Sequence, residues 1–354
     1  MLASRDDPLR IEPRRVCIIK PSALGDIVHT LPAMAALRGL WPRAHLAWVV
    51  NQGLRGLLDG HPQLDEVIAF DRARVLTTRG ALGFGRFLKG LRDRRFDVAI
   101  DFQGLFRSGL MSWATGAPVR LGASDAREGA TRFYTHLAVT SRRSEHAVDR
   151  MLALAAACGA DVSNPEVQLA VNDADRAWAR DAFRGLPRPI LVLNPGARWL
   201  TKRWPPERFA AVARRAVEAY GGSIAAVGAV EDRPLVDALA TAIAPLPMLD
   251  LCGRTTLPRL AALAARSDLF LSNDTGPLHL AAAAGANVVG VYTCTSPRLT
   301  GPRGPRVADV RSCVWCAPSF VKTCPRLDCM TELTPERVWN VVRARLEAPA
   351  DLDR

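Results

Sequence analysis

Short apolar runs rich in Val, Ile and Leu recur along the chain, and the stretches between them carry apolar residues at helical spacing. The first set is VCIIK at 16–20, HLAWVV at 45–50, EVIAF at 66–70 and DVAIDF at 97–102. The second is ILVLN at 190–194, SIAAVG at 223–228, MLDLC at 248–252, LFLSN at 269–273 and NVVGVY at 287–292. Strands of this composition, bounded by turn residues and alternating with amphipathic helices, predict parallel sheets covered on both faces. Gly, Asn, Pro and Asp cluster at about 159–175, between the two sets. The pattern predicts an α/β protein of two Rossmann-like, doubly wound domains, 1–165 and 166–333, with a helix and tail at 334–354. A ligand cleft is expected between the domains, at the carboxyl ends of their strands.

Helix punctuation agrees. In RWPPERFAAVARRAVEAYGG the prolines open a helix, Phe209, Ala213, Ala216 and Val217 keep one face apolar, and Gly221 ends it. The tail TPERVWNVVRARLE begins with Thr334, Pro335 and Glu336, a helix start signal.

Several strand ends carry candidate chemistry. In LFLSNDTGPLHLAAAAG the strand runs into Asn273, Asp274, Thr275 and Gly276, and Pro277 opens a helix with His279 one turn in. The unsatisfied amides of that first turn and the helix dipole favour a phosphate, whereas the bland reading makes Asp274 or Thr275 a cap. The segment is not GxGxxG, which counts against a nicotinamide site. In NPGARWLTKRWPPERF a turn at Asn194, Pro195 and Gly196 is followed by Arg198, Lys202 and Arg203. A loop of donors and a loop of cations in one domain suit a diphosphate, although basic loops are often merely solvated. A third strand end precedes Glu231 and Asp232, which either meet ribose hydroxyls or start a helix.

In the first half, SALGDIVHT sets Gly25 and Asp26 between a strand and a helix, as a cap or as a reacting group. DFQGLFRSG offers Arg107 after another strand, and PVRLGASDAREGATRFYTH adds Arg120, Arg127, Arg132 and His136. Arginines bind doubly charged groups bidentately, and they also decorate ordinary surfaces.

Charge and cysteine content narrow the classes. Of 354 residues, 47 are Lys or Arg and 35 Asp or Glu, for a formal charge of +12, which favours an anionic partner or surface. With only three tyrosines and no interleaving of basic and aromatic residues, nucleic acid is not the expected partner. The N-terminal segment has no apolar core of a secretory signal and no apolar run is long enough to span a membrane, so a cytoplasmic location is expected. Cys17, Cys158, Cys252 and Cys294 lie in apolar runs and are expected in the core. Cys313, Cys316, Cys324 and Cys329 form a C-x2-C-x7-C-x4-C cluster, open to a structural zinc, a redox role or simple packing.

Taken together, KPSALGDIVHTLPAMAALR, DFQGLFRSG, HAVDRML, NPGARWLTKRWPPERF and SNDTGPLHLAAAAGANVVGVY resemble glycosyltransferase family 9, the heptosyltransferases of lipopolysaccharide inner-core synthesis. REGATRFY and HAVDR look like the type I branch, which adds the first heptose to Kdo, whereas the cysteine-rich tail resembles other members. The resemblance implies a GT-B fold, an ADP-heptose donor, and inverting transfer without metal or cofactor. It implies an anionic acceptor, lipid A bearing Kdo, at the inner face of the cytoplasmic membrane. Asp26 then looks like the general base, beside Gly25, which would let the acceptor come close. Lys202, Asp274, Thr275, Gly276 and His279 look like donor contacts, with Gly196 and Arg198 in the same loops and Glu231 on the ribose. Arg55, Arg107, Arg120 and Arg127 are candidates for the acceptor's carboxylates and phosphates. The chain departs from type I members at Ala197 and Arg198, where they tend to carry hydroxyls. The rival readings are another transferase of the family with a different sugar or acceptor, the type II heptosyltransferase included, a nucleotide-sugar epimerase of the same architecture, and a nucleic-acid-binding protein with a zinc module.

Overall fold

The computed structural model describes residues 2–3, 9–71, 78–142 and 144–348; residues 4–8 of the charged N-terminal segment lie outside them. The chain divides into two units, Met1–Ala170 and Val171–Arg354. The first holds β1 (Leu2–Ala3), β2 (Arg15–Ile19), β3 (His45–Asn51), β4 (Glu66–Phe70), β5 (Val98–Asp101), β6 (Val119–Ala123) and β7 (His136–Ala138). They pair in parallel in the order β1-β7-β6-β5-β2-β3-β4. The second holds β8 (Ile190–Asn194), β9 (Ser223–Ala226), β10 (Met248–Asp250), β11 (Leu269–Asn273), β12 (Val288–Tyr292) and β13 (Val307–Arg311). These too are parallel, in the order β10-β9-β8-β11-β12-β13.

All nine predicted strands are present. The four that the hydrophobic pattern does not reveal, β1, β6, β7 and β13, lie at or toward the sheet margins. An edge strand is covered on fewer sides and can keep polar residues, as β13 does in VADVR. Central strands have no such freedom: every residue of β8, β11 and β12 is buried.

The core of the second unit joins Leu191, Leu193, Leu269, Leu271, Val289 and Val291 of the sheet to Phe209 and Ala213 of helix Pro206–Tyr220. Val338, Trp339 and Val342 of the tail helix Pro335–Glu347 enter the same core, and its Thr334 cap accepts from Arg337 N–H as the sequence predicts. In the first unit Cys17, Ile19, Ala47 and Val49 meet Phe84, Phe87 and Leu88 of helix Thr78–Asp93.

Each strand order contains one reversal. In the first unit the chain runs from β2 through β3 and β4 on one side, then returns to place β5 on the other side of β2. In the second unit β8 has β9 and β10 on one side and β11 on the other. Connections from the two neighbouring strands leave toward opposite faces at such a point, so a crevice opens at their carboxyl ends. Both candidate loop sets sit at these two points.

Candidate active site

At the second unit's reversal, Asn194 and Ser272 are register partners on adjacent strands. The Asn194 side-chain amide donates to Ser272 Oγ at 2.9 Å, and that of Asn273 donates to the Pro195 carbonyl at 2.8 Å. Asn273 Oδ1 in turn accepts from the Trp204 N–H at 3.1 Å. Three fully buried polar side chains thus stitch the two predicted loops together, and hydrogen bonding removes the cost of burying them. Trp204 anchors the basic loop: it is fully buried, donates Nε1–H to the Leu333 carbonyl at 2.8 Å, and meets Phe209 edge-on at 5.1 Å. Its loss would cost about 3–5 kcal/mol, the usual range for a buried tryptophan.

Lys202 and Asp274 meet across this stitching. Lys202 Nζ donates to Asp274 Oδ2 at 2.6 Å and to its carbonyl at 3.2 Å, and lies 4.8 Å from the Trp199 ring centroid. Asp274 is 3% exposed; Thr295 Oγ1–H donates to Oδ2 at 2.6 Å and His279 Nε2 lies 3.6 Å from Oδ1. Burial by itself pushes the carboxyl up, but the His279 ring and the Lys202 charge together hold it well below the usual carboxylate range. Helix Gly276–Ala283 begins directly behind, with Thr275 at its N-cap and Pro277 in its first turn. No side chain caps it. The sequence gives no sign of Thr295, because it comes from the end of β12, a neighbouring strand.

Around this centre, Gly196 is buried, and a Cβ there would lie 2.4 Å from Asp232 Cγ. The Asp232 carboxylate accepts from the Ala229 N–H at 3.0 Å, so a structural cap packs against the glycine turn. Glu231 is exposed on the short helix Val230–Asp232, and Arg198 is exposed on the basic loop.

At the first unit's reversal, helix Leu24–Leu40 starts one residue earlier than Gly25, which places Gly25 and Asp26 within its first turn. Asp26 is exposed, and its Oδ2 accepts from the Ala23 N–H at 2.9 Å. It therefore serves the helix start as a third-position acceptor, on an exposed residue. Lys20, at the end of β2, is buried and donates Nζ–H to the Phe102 carbonyl at 3.0 Å. Burial pushes its ammonium down, opposed by the charges of Asp26 and Asp101. Asp101, buried at the end of β5, accepts from Tyr134 Oη–H at 2.6 Å and from the Gln103 and Gly104 N–H groups at 2.8 and 3.1 Å. Gly104 turns there at φ 65°.

The predicted arginines divide. Arg107 lines a cavity of about 170 Å³ with Ser22, Asn51, Gln103, Ser108 and Glu128, beside the Asp26 loop. Arg127 is exposed, and its charge acts on Arg142 together with those of Arg150, Asp125 and Asp26. Arg120 is spent on structure: Nε–H donates to the Phe133 carbonyl at 2.8 Å and Nη1–H to that of Ala117 at 2.7 Å. Arg55 pairs with Asp59 at 2.8 Å in an exposed i,i+4 contact. The sequence reading misses Arg142 and gives Arg150 no role. The Arg142 N–H donates to Asp125 Oδ2 at 2.7 Å, and buried Arg150 reaches Asp125 Oδ1 at 3.2 Å. His146 caps helix Ala147–Ala157 through Nδ1, which explains HAVDR as a local structural unit.

The four cysteines of the C-terminal cluster do not all meet. Cys313 Sγ faces Arg337 Nη2 at 3.5 Å, whereas Cys316, Cys324 and Cys329 line a cavity of about 210 Å³ with Cys294, a residue from the end of β12. Among the described residues no three His, Cys, Asp or Glu side chains are grouped to hold a metal ion. The loop is tied instead to the basic loop of the second unit: Thr201 Oγ1–H donates to the Val321 carbonyl at 2.6 Å, one residue from Lys202. Cys17, Cys158 and Cys252 are buried, as expected.

Two doubly wound parallel units with loops converging at each reversal are the GT-B fold. Residues 84–329 match glycosyltransferase family 9 (heptosyltransferase). Lipopolysaccharide heptosyltransferase 1 of Pseudomonas aeruginosa is 32% identical over 96% of this chain and 99% of its own. A family 9 glycosyl transferase from Veillonella parvula superimposes with a TM-score of 0.83 at 22% identity, covering 96% of this chain and 99% of that one. Escherichia coli heptosyltransferase WaaC with ADP gives 0.72 at 25% identity, covering 94% and 99%. The chain belongs to glycosyltransferase family 9, and it is a heptosyltransferase of lipopolysaccharide core synthesis.

Proposed function

We propose that the protein transfers heptose from ADP-heptose to Kdo of the lipopolysaccharide inner core, as the type I branch does. Transfer proceeds with inversion and without a metal ion. The observation that carries this reading is the Lys202–Asp274 pair set before the uncapped start of helix Gly276–Ala283. Inverting transfer needs a cationic partner for the departing diphosphate, and an ammonium beside the positive end of a helix dipole supplies one. Asp274, already engaged by Lys202 and Thr295, aims Lys202 and does not itself meet the anionic phosphates. Arg198 adds charge from the loop, and Glu231 meets the ribose hydroxyls. Asp26 accepts the proton of the acceptor hydroxyl as the new bond forms. Arg107 and Arg127 hold the acceptor's anionic groups. The type I assignment rests on the 32% identity to the Pseudomonas heptosyltransferase 1. The acceptor places the enzyme at the inner face of the cytoplasmic membrane.

The test is turnover of ADP-heptose with Kdo-lipid A, with and without chelator, with the anomeric configuration of the product read by NMR. Acceptor-dependent, chelator-resistant formation of the inverted linkage is expected. Isomerised sugar accumulating without acceptor would make the protein an epimerase.

A further inference from the structure

Helix Thr78–Asp93 and helix Phe106–Ala114 pack against each other on one side of the first unit's sheet, and the Arg92 guanidinium lies over Gly116 beyond the second helix. Their inward faces are ordinary core: Phe84, Phe87, Leu88 and Leu91 on one, Met111 on the other. Their outward faces are not ordinary surface. On the shorter helix the outward stripe is Phe106, Leu110 and Trp113, spaced i, i+4, i+7, with Phe106 52% and Trp113 57% exposed. The Phe133 ring supports Phe106 edge-on at 5.3 Å, so the stripe is held in place. On the longer helix the matching stripe is Leu82, Arg86 and Lys89, at the same spacing, with Leu82 70% exposed. The two helices together carry five basic residues and one acidic one.

Single exposed apolar residues need no explanation, but an aligned apolar stripe with two exposed aromatic rings, on a helix packed against one with an outward basic stripe, does. A helix face that offers solvent an aromatic row gains nothing from water. Aromatic rings gain most at a boundary where one side is apolar and the other wet, and neighbouring Lys and Arg are drawn to an anionic lipid surface. We propose that this face, the outward sides of helices Thr78–Asp93 and Phe106–Ala114, docks on an anionic bilayer. Phe106 and Trp113 enter the interface while Arg86 and Lys89 meet the headgroups. The helix that bears Trp113 begins at the wall of the Arg107 cavity, so docking presents that cavity to the lipid surface from which an anchored acceptor projects. This last step rests on the proposed acceptor; the docking face does not.

The test uses the full chain and vesicles of phosphatidylcholine with or without phosphatidylglycerol, read by co-sedimentation. Binding is expected only with phosphatidylglycerol, and it should weaken with salt. Trp113→Ser, and separately Arg86→Glu with Lys89→Glu, should each lower partitioning at least about tenfold. Melting temperature and transfer to a water-soluble, delipidated acceptor should stay as in the parent. Trp315, 84% exposed on the cysteine loop, supplies the control. Partitioning lost in Trp315→Ser and kept in Trp113→Ser overturns the proposal. So does a dimer in solution that Trp113→Ser dissociates, since a second copy would then cover the face. If the vesicle results hold but no heptose is transferred to soluble acceptor, the docking face stands and the reaction assignment falls.

Discussion

Asp26 is bonded at a helix start and is also the proposed general base. Its Oδ2 accepts from the Ala23 N–H, a local bond worth about 1 kcal/mol. Asparagine offers a carbonyl oxygen in the same place, so Asp26→Asn should leave the melting temperature within a degree or two of the parent. It cannot accept a proton, and kcat should fall roughly 10²-fold to 10⁴-fold at unchanged donor affinity. Near-normal kcat would reduce Asp26 to a helix-start residue. Asp274 carries the opposite balance, being buried and paired. Its pKa lies below the ordinary aspartate value of about 3.9, so its pairing stabilises the fold above that pH and is lost as pH falls through the native value. Asp274→Asn should cost about 3 kcal/mol at pH 7, because it leaves Lys202 without its counter-charge. The gap between parent and variant in urea unfolding should narrow below about pH 4. An equal gap at both pH values would show that the pair contributes nothing through charge.

At the scale of elements, the proposed donor side is a junction of turns rather than a row of side chains. Gly196 is there because the Asp232 cap of the next strand's loop occupies the space a Cβ would need. Gly196→Ala should therefore push Asp232 off the Ala229 N–H, destabilise by about 1–3 kcal/mol and raise the donor KM. Asp232→Ala removes the obstacle, so the second substitution should cost less in that background, with a coupling of about 1 kcal/mol or more in a double-mutant cycle. Additive costs would mean that the two turns do not touch in solution. The cysteine loop belongs to the same junction through Thr201, so its chemistry reaches Lys202 by structure alone.

Over the whole molecule, two sheets of the same winding each set their candidate loops at one reversal, and the chain carries a formal charge of +12. No helix among the described residues is long and apolar enough to cross a membrane. An excess of cations, set against the proposed anionic glycolipid acceptor, would speed encounter and be screened by salt.

Most of the architecture was legible because a parallel strand buried on both faces must be apolar along its length, and such runs stand out. The margins β1, β6, β7 and β13 were silent for the converse reason. The glycine turns and the acidic and basic loops were legible too, since helix starts and strand ends require particular residues locally. What the tertiary structure alone decided was partnership. Nothing local to Arg120 says that two carbonyls consume its guanidinium while Arg107 faces a cavity. Nothing in C-x2-C-x7-C-x4-C says that Cys294 joins the cavity and Cys313 leaves it. Thr295 and Lys202 reach Asp274 from residues 21 and 72 positions away, because the sheet sets distant strand ends side by side. Local sequence determines which backbone forms where; contacts between strand ends depend on strand order, and only the folded sheet contains that order.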